Sequence, residues 1–226
     1  MVAEGARVVL ADIDGDGVAS LAEELGAAAV AVLTDVTDEA HVARAVARAV
    51  DRFGRLDVLH NNAVTAAAGD LDAVRTSDDV WRDTFSVVVM AAVYGCRHAI
   101  PAMLATGGGA IVNTSSGAAR TPTGTKIAYG STKAALETFT VYTAAIHGHE
   151  GIRANVVAPG FVLTPGTEAI FDAAQLDAFG ARAAAGRVAT PEDVAEVVVF
   201  LASDAAAYVS GQVVAVNGGG ARPMSW

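Results

Sequence analysis

Short, valine-rich apolar runs alternate along this chain with longer alanine-rich segments whose apolar positions recur at helical spacing. "ARVVLADI" (6–13) predicts a strand, "GVASLAEELG" (17–26) a helix and "AAVAVLTDV" (28–36) a second strand. The alternation continues with the helix "EAHVARAVARAVDRFG" (39–54), the strand "LDVLHNNA" (56–63) and a helix from near Trp81 to Thr106. Next come the strand "GAIVNTSS" (109–116), a helix from Tyr129 to about His147 and the strand "IRANVVAPG" (152–160). A less regular stretch, Val162 to Arg187, predicts a mobile loop; "PEDVAEVVVFLASD" then reads as a helix and "GQVVAVNGG" as the last strand. Strands and helices in strict alternation predict crossover units, hence an α/β domain of three layers around a doubly wound parallel sheet. No internal repeat or linker interrupts the pattern, so residues 1–226 read as one domain.

Strand ends change the picture from architecture to chemistry. Ligands of an open α/β sheet bind outside the strands' carboxyl ends, and there the chain places Asp12, Asp35, Asn61-Asn62, Ser115-Ser116 and Pro159-Gly160. Each alone is an ordinary turn or cap residue. Together they mark a site.

Composition narrows what that site can serve. A hydrophobic content of 53% fits a packed core. A net charge of −10 disfavours nucleic acid. No run of about 18 uninterrupted apolar residues offers a membrane span. The opening "MVAEGARVVLADID" has no basic region before its apolar run, so no signal peptide is expected. One cysteine, Cys96, cannot make an intrachain disulfide, and His60, His98, His147 and His149 form no ligand pattern with it. These features predict a cytoplasmic protein without a metal site, with a small molecule as partner.

Lysine is rare here. Thirteen of the fifteen basic residues are arginine, and the lysines are Lys126 and Lys133. Lys133 stands four residues after Tyr129 in the apolar segment "AYGSTKAALETF", a spacing that puts both on one helix face. An ammonium beside a phenol favours the phenolate, which would make Tyr129 a general acid/base for an alcohol or carbonyl oxygen.

Over essentially its whole length the chain resembles the classical short-chain dehydrogenase/reductase family. Ser116 in "IVNTSSG" stands thirteen residues before Tyr129, where that family keeps its catalytic serine. "NNA" (61–63), "IRANVVAPGFVLT" and "RVATPEDVAEVVVFLASDAAAYVSGQVVAVNGG" are similar to its other motifs in order and spacing. The resemblance implies a Rossmann-type fold and hydride transfer between NAD(H) and a secondary alcohol or ketone. In that scheme Tyr129 exchanges the proton, Lys133 assists it, and Ser116 binds the substrate oxygen. NAD(H) would contact Asp12 at the adenosine ribose, Asp35 and Val36 at the adenine, and Asn62 and Ala63 along one wall. Tyr129 and Lys133 would hold the nicotinamide ribose, and Pro159, Gly160, Val162 and Thr164 the nicotinamide. Asp12 would repel a 2′-phosphate, favouring NAD(H) over NADP(H). The resemblance also implies a homodimer or homotetramer, joined by the helices 81–106 and 129–147.

Three departures matter. The family opens with a strand, a glycine-rich turn and a helix, and the present sequence starts near the end of that helix, so a domain lacking its first βα unit is expected. Such a sheet would have an interval about 9.6 Å wide between strands 6–13 and 56–63. The expectation is that the N-terminal strands shift to close it, that another chain or segment fills it, or that the region is loosely ordered. Val64 replaces a glycine at the cofactor wall, and Val88 replaces the asparagine of the proton relay. The alternatives to redox chemistry are a non-redox member using the same residues for proton transfer, isomerisation or cyclisation, and a silent scaffold that binds no nucleotide.

Overall fold

The computed structural model describes residues 1–65, 67–122 and 124–220. Its elements run β1 (Val8–Asp12), α1 (Gly15–Leu25), β2 (Ala29–Leu33), α2 (Glu39–Phe53), β3 (Val58–Asn61), α3 (Asp78–Phe85), α4 (Ala91–Leu104) and β4 (Gly109–Thr114). Then follow α5 (Ile127–His147), β5 (Ile152–Pro159), α6 (Pro165–Glu168), α7 (Ala173–Arg182), α8 (Pro191–Ala202) and β6 (Val213–Val216). All strand pairs are parallel. Every strand and long helix predicted from the pattern is present.

β4 and β5 form the centre of the molecule because both of their faces are apolar. Ile111 of β4 and Ile152 and Ala154 of β5 pack with Cys96, Ala99, Ile100 and Met103 of α4 and Ala144 of α5. On the other face Val112 and Val157 meet Val198 and Leu201 of α8. Helices on both faces of a parallel sheet give the expected three layers. Between α3 and α4 the helix loosens into a π-turn, Ser86–Met90, where the amide of Ala91 donates to the Ser86 carbonyl. The whole run Asp78–Leu104 is long and apolar enough to cross a membrane by composition, yet half of its most apolar stretch is buried inside the protein. It is a core helix here.

Two expectations are corrected. The strands form two sheets, β1-β2 and β3-β4-β5-β6, and β1 does not move over to pair with β3. The physical reason lies in α2, which joins β2 to β3. Its Glu39 is bound by Arg97 at 2.6 Å and His98 at 3.1 Å on α4, and its Val42 and Ala49 are buried. Arg7, just before β1, donates to the Phe53 carbonyl at the end of α2. The strand pair is therefore tethered where α2 puts it. Neither β1 nor β3 contains a fully buried residue.

The second correction concerns Val162 to Arg187, which holds two helices rather than one loop. Thr164 caps α6 and Asp172 caps α7, each through a reciprocal capping box, with Thr167 and Gln175 respectively. Phe161, Phe171 and Phe179 close on one another, the first and last stacked with centroids 4.2 Å apart. That trio gives the segment a small core of its own.

Candidate active site

Lys133 is the largest fully buried side chain among the described residues, 2% exposed. Its ammonium donates to the Thr114 carbonyl at 2.7 Å and sits 5.8 Å from the centroid of the Tyr129 ring. An ammonium has three donors, and among the described residues this one has a single acceptor. Burial pushes the Lys133 pKa from its ordinary 10.5 down to about 8. A charge kept in such a place, with donors to spare, is set up for a ligand.

Tyr129 and Lys133 share the face of α5 that looks onto the end of β4, as their spacing predicts. The chain leaves β4 through Ser115, whose amide bonds the Val157 carbonyl at 2.7 Å. It then forms a tight 3-10 turn over Gly117–Ala119, capped by the Ser116 hydroxyl, which accepts from the Ala118 amide at 3.2 Å. That turn lies directly on α5. A Cβ built on Gly130, the residue after Tyr129, would come within 2.9 Å of the Ala118 carbonyl, so glycine is what permits the contact. Ser116, Tyr129 and Lys133 are thus carried by two segments in van der Waals contact. The Tyr129 hydroxyl has no hydrogen-bond partner among the described residues.

The start of α5 depends on a residue that the sequence pattern did not single out. Asp70, 8% exposed, lies in the connection after β3. Its carboxylate accepts from the amides of Ala128 and Tyr129, both at 2.9 Å. The helix needs this because its own N-cap, Lys126, has no side-chain acceptor. A lysine at the cap position was the available signal that a cap must come from elsewhere.

The residues expected to meet a nucleotide are spread over both sheets. Asp12 ends β1, exposed, with one carboxylate oxygen accepting from the Asp14 amide at 3.0 Å. Asp35 follows β2 and accepts from both the amide and the hydroxyl of Thr37; the hydroxyl bond above all holds its pKa below the ordinary carboxylate value. Val36 beside it is half-buried, whereas Asn62, Ala63 and Val64 are exposed beyond β3. Asn61 turns inward instead, donating to Asn113 at 2.8 Å. Pro159 ends β5, the Gly160 amide bonds the Val216 carbonyl, and Val162 pairs with Ala189. The Thr164 hydroxyl is engaged as the cap of α6. Val88 lies in the π-turn, buried against Val89, Ala92 and Leu136, so no polar side chain stands at that point. Two surface depressions, one between Ala181–Ala184 and Gly219–Gly220 and one at the strands' amino ends, touch none of Ser116, Tyr129 and Lys133.

Comparison with known proteins identifies the family and the fold. A family model described as enoyl-(acyl carrier protein) reductase matches residues 1–220. The chain is 39% identical over 221 residues to cis-4-hydroxycyclohexanecarboxylate dehydrogenase of Sinomonas cyclohexanicum, covering 95% of this chain and 86% of that one. It is also 39% identical over 223 residues to a protein of Xanthobacter autotrophicus named inactive 2-(S)-hydroxypropyl-CoM dehydrogenase 2, covering 96% of each. Among solved structures, 7 alpha-hydroxysteroid dehydrogenase complexed with NADH and 7-oxo glycochenodeoxycholic acid superposes with a TM-score of 0.88 at 28% identity, over 97% of this chain and 86% of that one. By sequence, fold and the match over nearly its full length, the chain belongs to the short-chain dehydrogenase/reductase family of oxidoreductases.

Proposed function

We propose that this protein is an NAD(H)-dependent dehydrogenase or reductase of a secondary alcohol or ketone, with Tyr129 as general acid/base. The observation that carries the reading is the buried Lys133 ammonium, with donors unfilled, on the helix face of Tyr129. Ser116 would donate to the substrate oxygen, and Tyr129 would take its proton in oxidation or give one in reduction. Lys133 would stabilise the tyrosinate and hold the ribose next to it. A bound nicotinamide supplies the hydride acceptor or donor.

The residues present fit NAD(H) at both ends. Asp12 offers a carboxylate to ribose hydroxyls, and Lys133 offers donors at the other ribose. The interval between β1 and β3, where a diphosphate would pass, shows no glycine-rich turn among the described residues. For these 226 residues taken alone we therefore expect weak nucleotide binding. The substrate we take to be an apolar alcohol or ketone, because Phe161, Phe171 and Phe179 gather in the segment after β5. The exposed Tyr142 and Ile146 on α5 support assembly as a homodimer or homotetramer through that helix. The free, buried Cys96, its thiol pushed up to about 12 by burial, suits a cytoplasmic setting.

Calorimetric titration with NADH and NADPH, followed by turnover of cis-4-hydroxycyclohexanecarboxylate and simple cycloalkanols with NAD⁺, tests this. NADH should bind the tighter of the two, and Asp12→Ala should narrow the ratio; an unchanged ratio makes Asp12 a plain strand-end residue. Tyr129→Phe should cost at least about a hundredfold in kcat. Full activity in that variant would end the reading. A second reading is a non-redox or silent member. The relative named as inactive points that way. Absence of NADH binding would select it.

A further inference from the structure

Glu137 continues the stripe of Tyr129 and Lys133 along α5, at the same four-residue step, yet the chemistry above does not use it. Glu137 as a residue is 8% exposed. One carboxylate oxygen accepts from the Ser115 hydroxyl at 3.0 Å, and the other from the Arg120 guanidinium at 3.0 Å. Those two residues flank the turn that Ser116 caps. The Ser115 hydroxyl also lies 3.3 Å from the Lys133 carbonyl, and the Ala118 carbonyl is against Gly130. The turn is thus held to α5 at both ends and in the middle.

We propose that Glu137 is a positioning residue for Ser116: by gripping Ser115 and Arg120 it fixes the Ser116 hydroxyl against the face of α5 that carries Tyr129. This rests on the redox reading above for the role of Ser116. A carboxylate is suited to the task because it is acceptor-only and has two oxygens to face two donors. Glutamine matches the shape but must turn an N–H₂ towards one of them. With the grip lost, Ser116 is free to drift, and small misplacement of a group that orients the reacting oxygen is costly in rate. Binding of nucleotide, which Glu137 does not touch, should be spared.

Two measurements test this. Hydrogen exchange reads the grip directly: in Glu137→Ala the amides of Ala119 to Thr121 should exchange at least about tenfold faster, while those of Thr140 to Ala144 keep their rates. Unchanged exchange in the turn overturns the proposal, whatever the activity. Turnover of cis-4-hydroxycyclohexanecarboxylate with NAD⁺ reads the consequence. Glu137→Ala should lower kcat about tenfold with the NADH Kd within about twofold, and in a Ser116→Ala background it should cost less than about twofold more. An equal loss in both backgrounds means that Glu137 acts on the fold at large, and sinks the idea. Glu137→Gln, the variant less prone to misfold, should fall between wild type and alanine in both measurements. A wild-type chain that turns over nothing overturns the redox reading instead, and the exchange rates then decide whether the grip exists.

Discussion

A lysine interior to an apolar helix is the residue on which the proposed function turns, and its titration can be followed through stability. The Lys133 pKa is near 8 in the fold against an ordinary 10.5, because burial disfavours the charge. Between those values the unfolded chain binds more protons than the folded one, so stability must rise as pH increases across the window. The full gain is on the order of 3 kcal/mol. Below pH 8 the charge is buried at a cost; above 10.5 both states are neutral and the gain is complete. Lys133→Met should therefore be more stable than wild type near neutral pH and lack the rise, as urea midpoints at several pH values would show. A rise that persists in the variant assigns the titration to another group. Asp70 makes the opposite case, a residue that stabilises. Asp70→Ala leaves the first amides of α5 unpartnered and should cost about 1–2 kcal/mol, read as a lower urea midpoint at constant slope. An unchanged midpoint would mean that water supplies the cap.

Elements differ in how far their sequence declares them. β4 and β5 are legible because continuous runs such as "AIVN" and "NVVA" suit a strand buried on both faces, and α5 because its reactive residues fall on helical spacing. The approach of the Ser116 turn to α5 was half legible: the thirteen-residue interval to Tyr129 was visible, the Gly130 contact that seats the turn was not. Asp70 and Glu137 were invisible, since their partners are 59 and 22 residues away in the chain and no local pattern records such pairings. In the segment after β5, glycines at 166, 180 and 186 masked two short helices that their capping residues, Thr164 and Asp172, announce. That segment is anchored by Arg187, which grips Asp193 of α8 through two bonds of 2.6 and 2.7 Å and holds its carboxyl well below the usual range. Phe179→Ala should unseat the aromatic trio without touching the anchor. Trypsin should then cut at Arg182 several-fold faster, with the main unfolding transition unmoved. A slower or equal cut would show that the trio does not order the segment.

At the scale of the whole molecule the decisive feature is the division of the strands. Residues that would bind the two ends of a dinucleotide sit on different sheets, Asp12 and Asp35 on one and Lys133 beside the other. Their spacing is set by α2 and its ion pairs to α4, not by strand pairing. Nucleotide affinity should accordingly be low in the 226-residue chain and rise when a strand, a glycine-rich turn and a helix are joined ahead of Met1. Calorimetry on the two proteins decides it. Equal affinities would show that a diphosphate can be held here without such a turn.

The same division has a consequence for how the protein breathes. With no ladder joining β1 to β3, the unit of β1, α1 and β2 can open without tearing the four-stranded sheet, and the hydrogen bonds lost are its own. Its amides should exchange with solvent at a common rate faster than those of β4 and β5, which need global unfolding. A ligand that spans both sheets would add a second strap between them, beside α2. Occupancy of the site would then be visible far from it, as slowed exchange throughout β1 and β2.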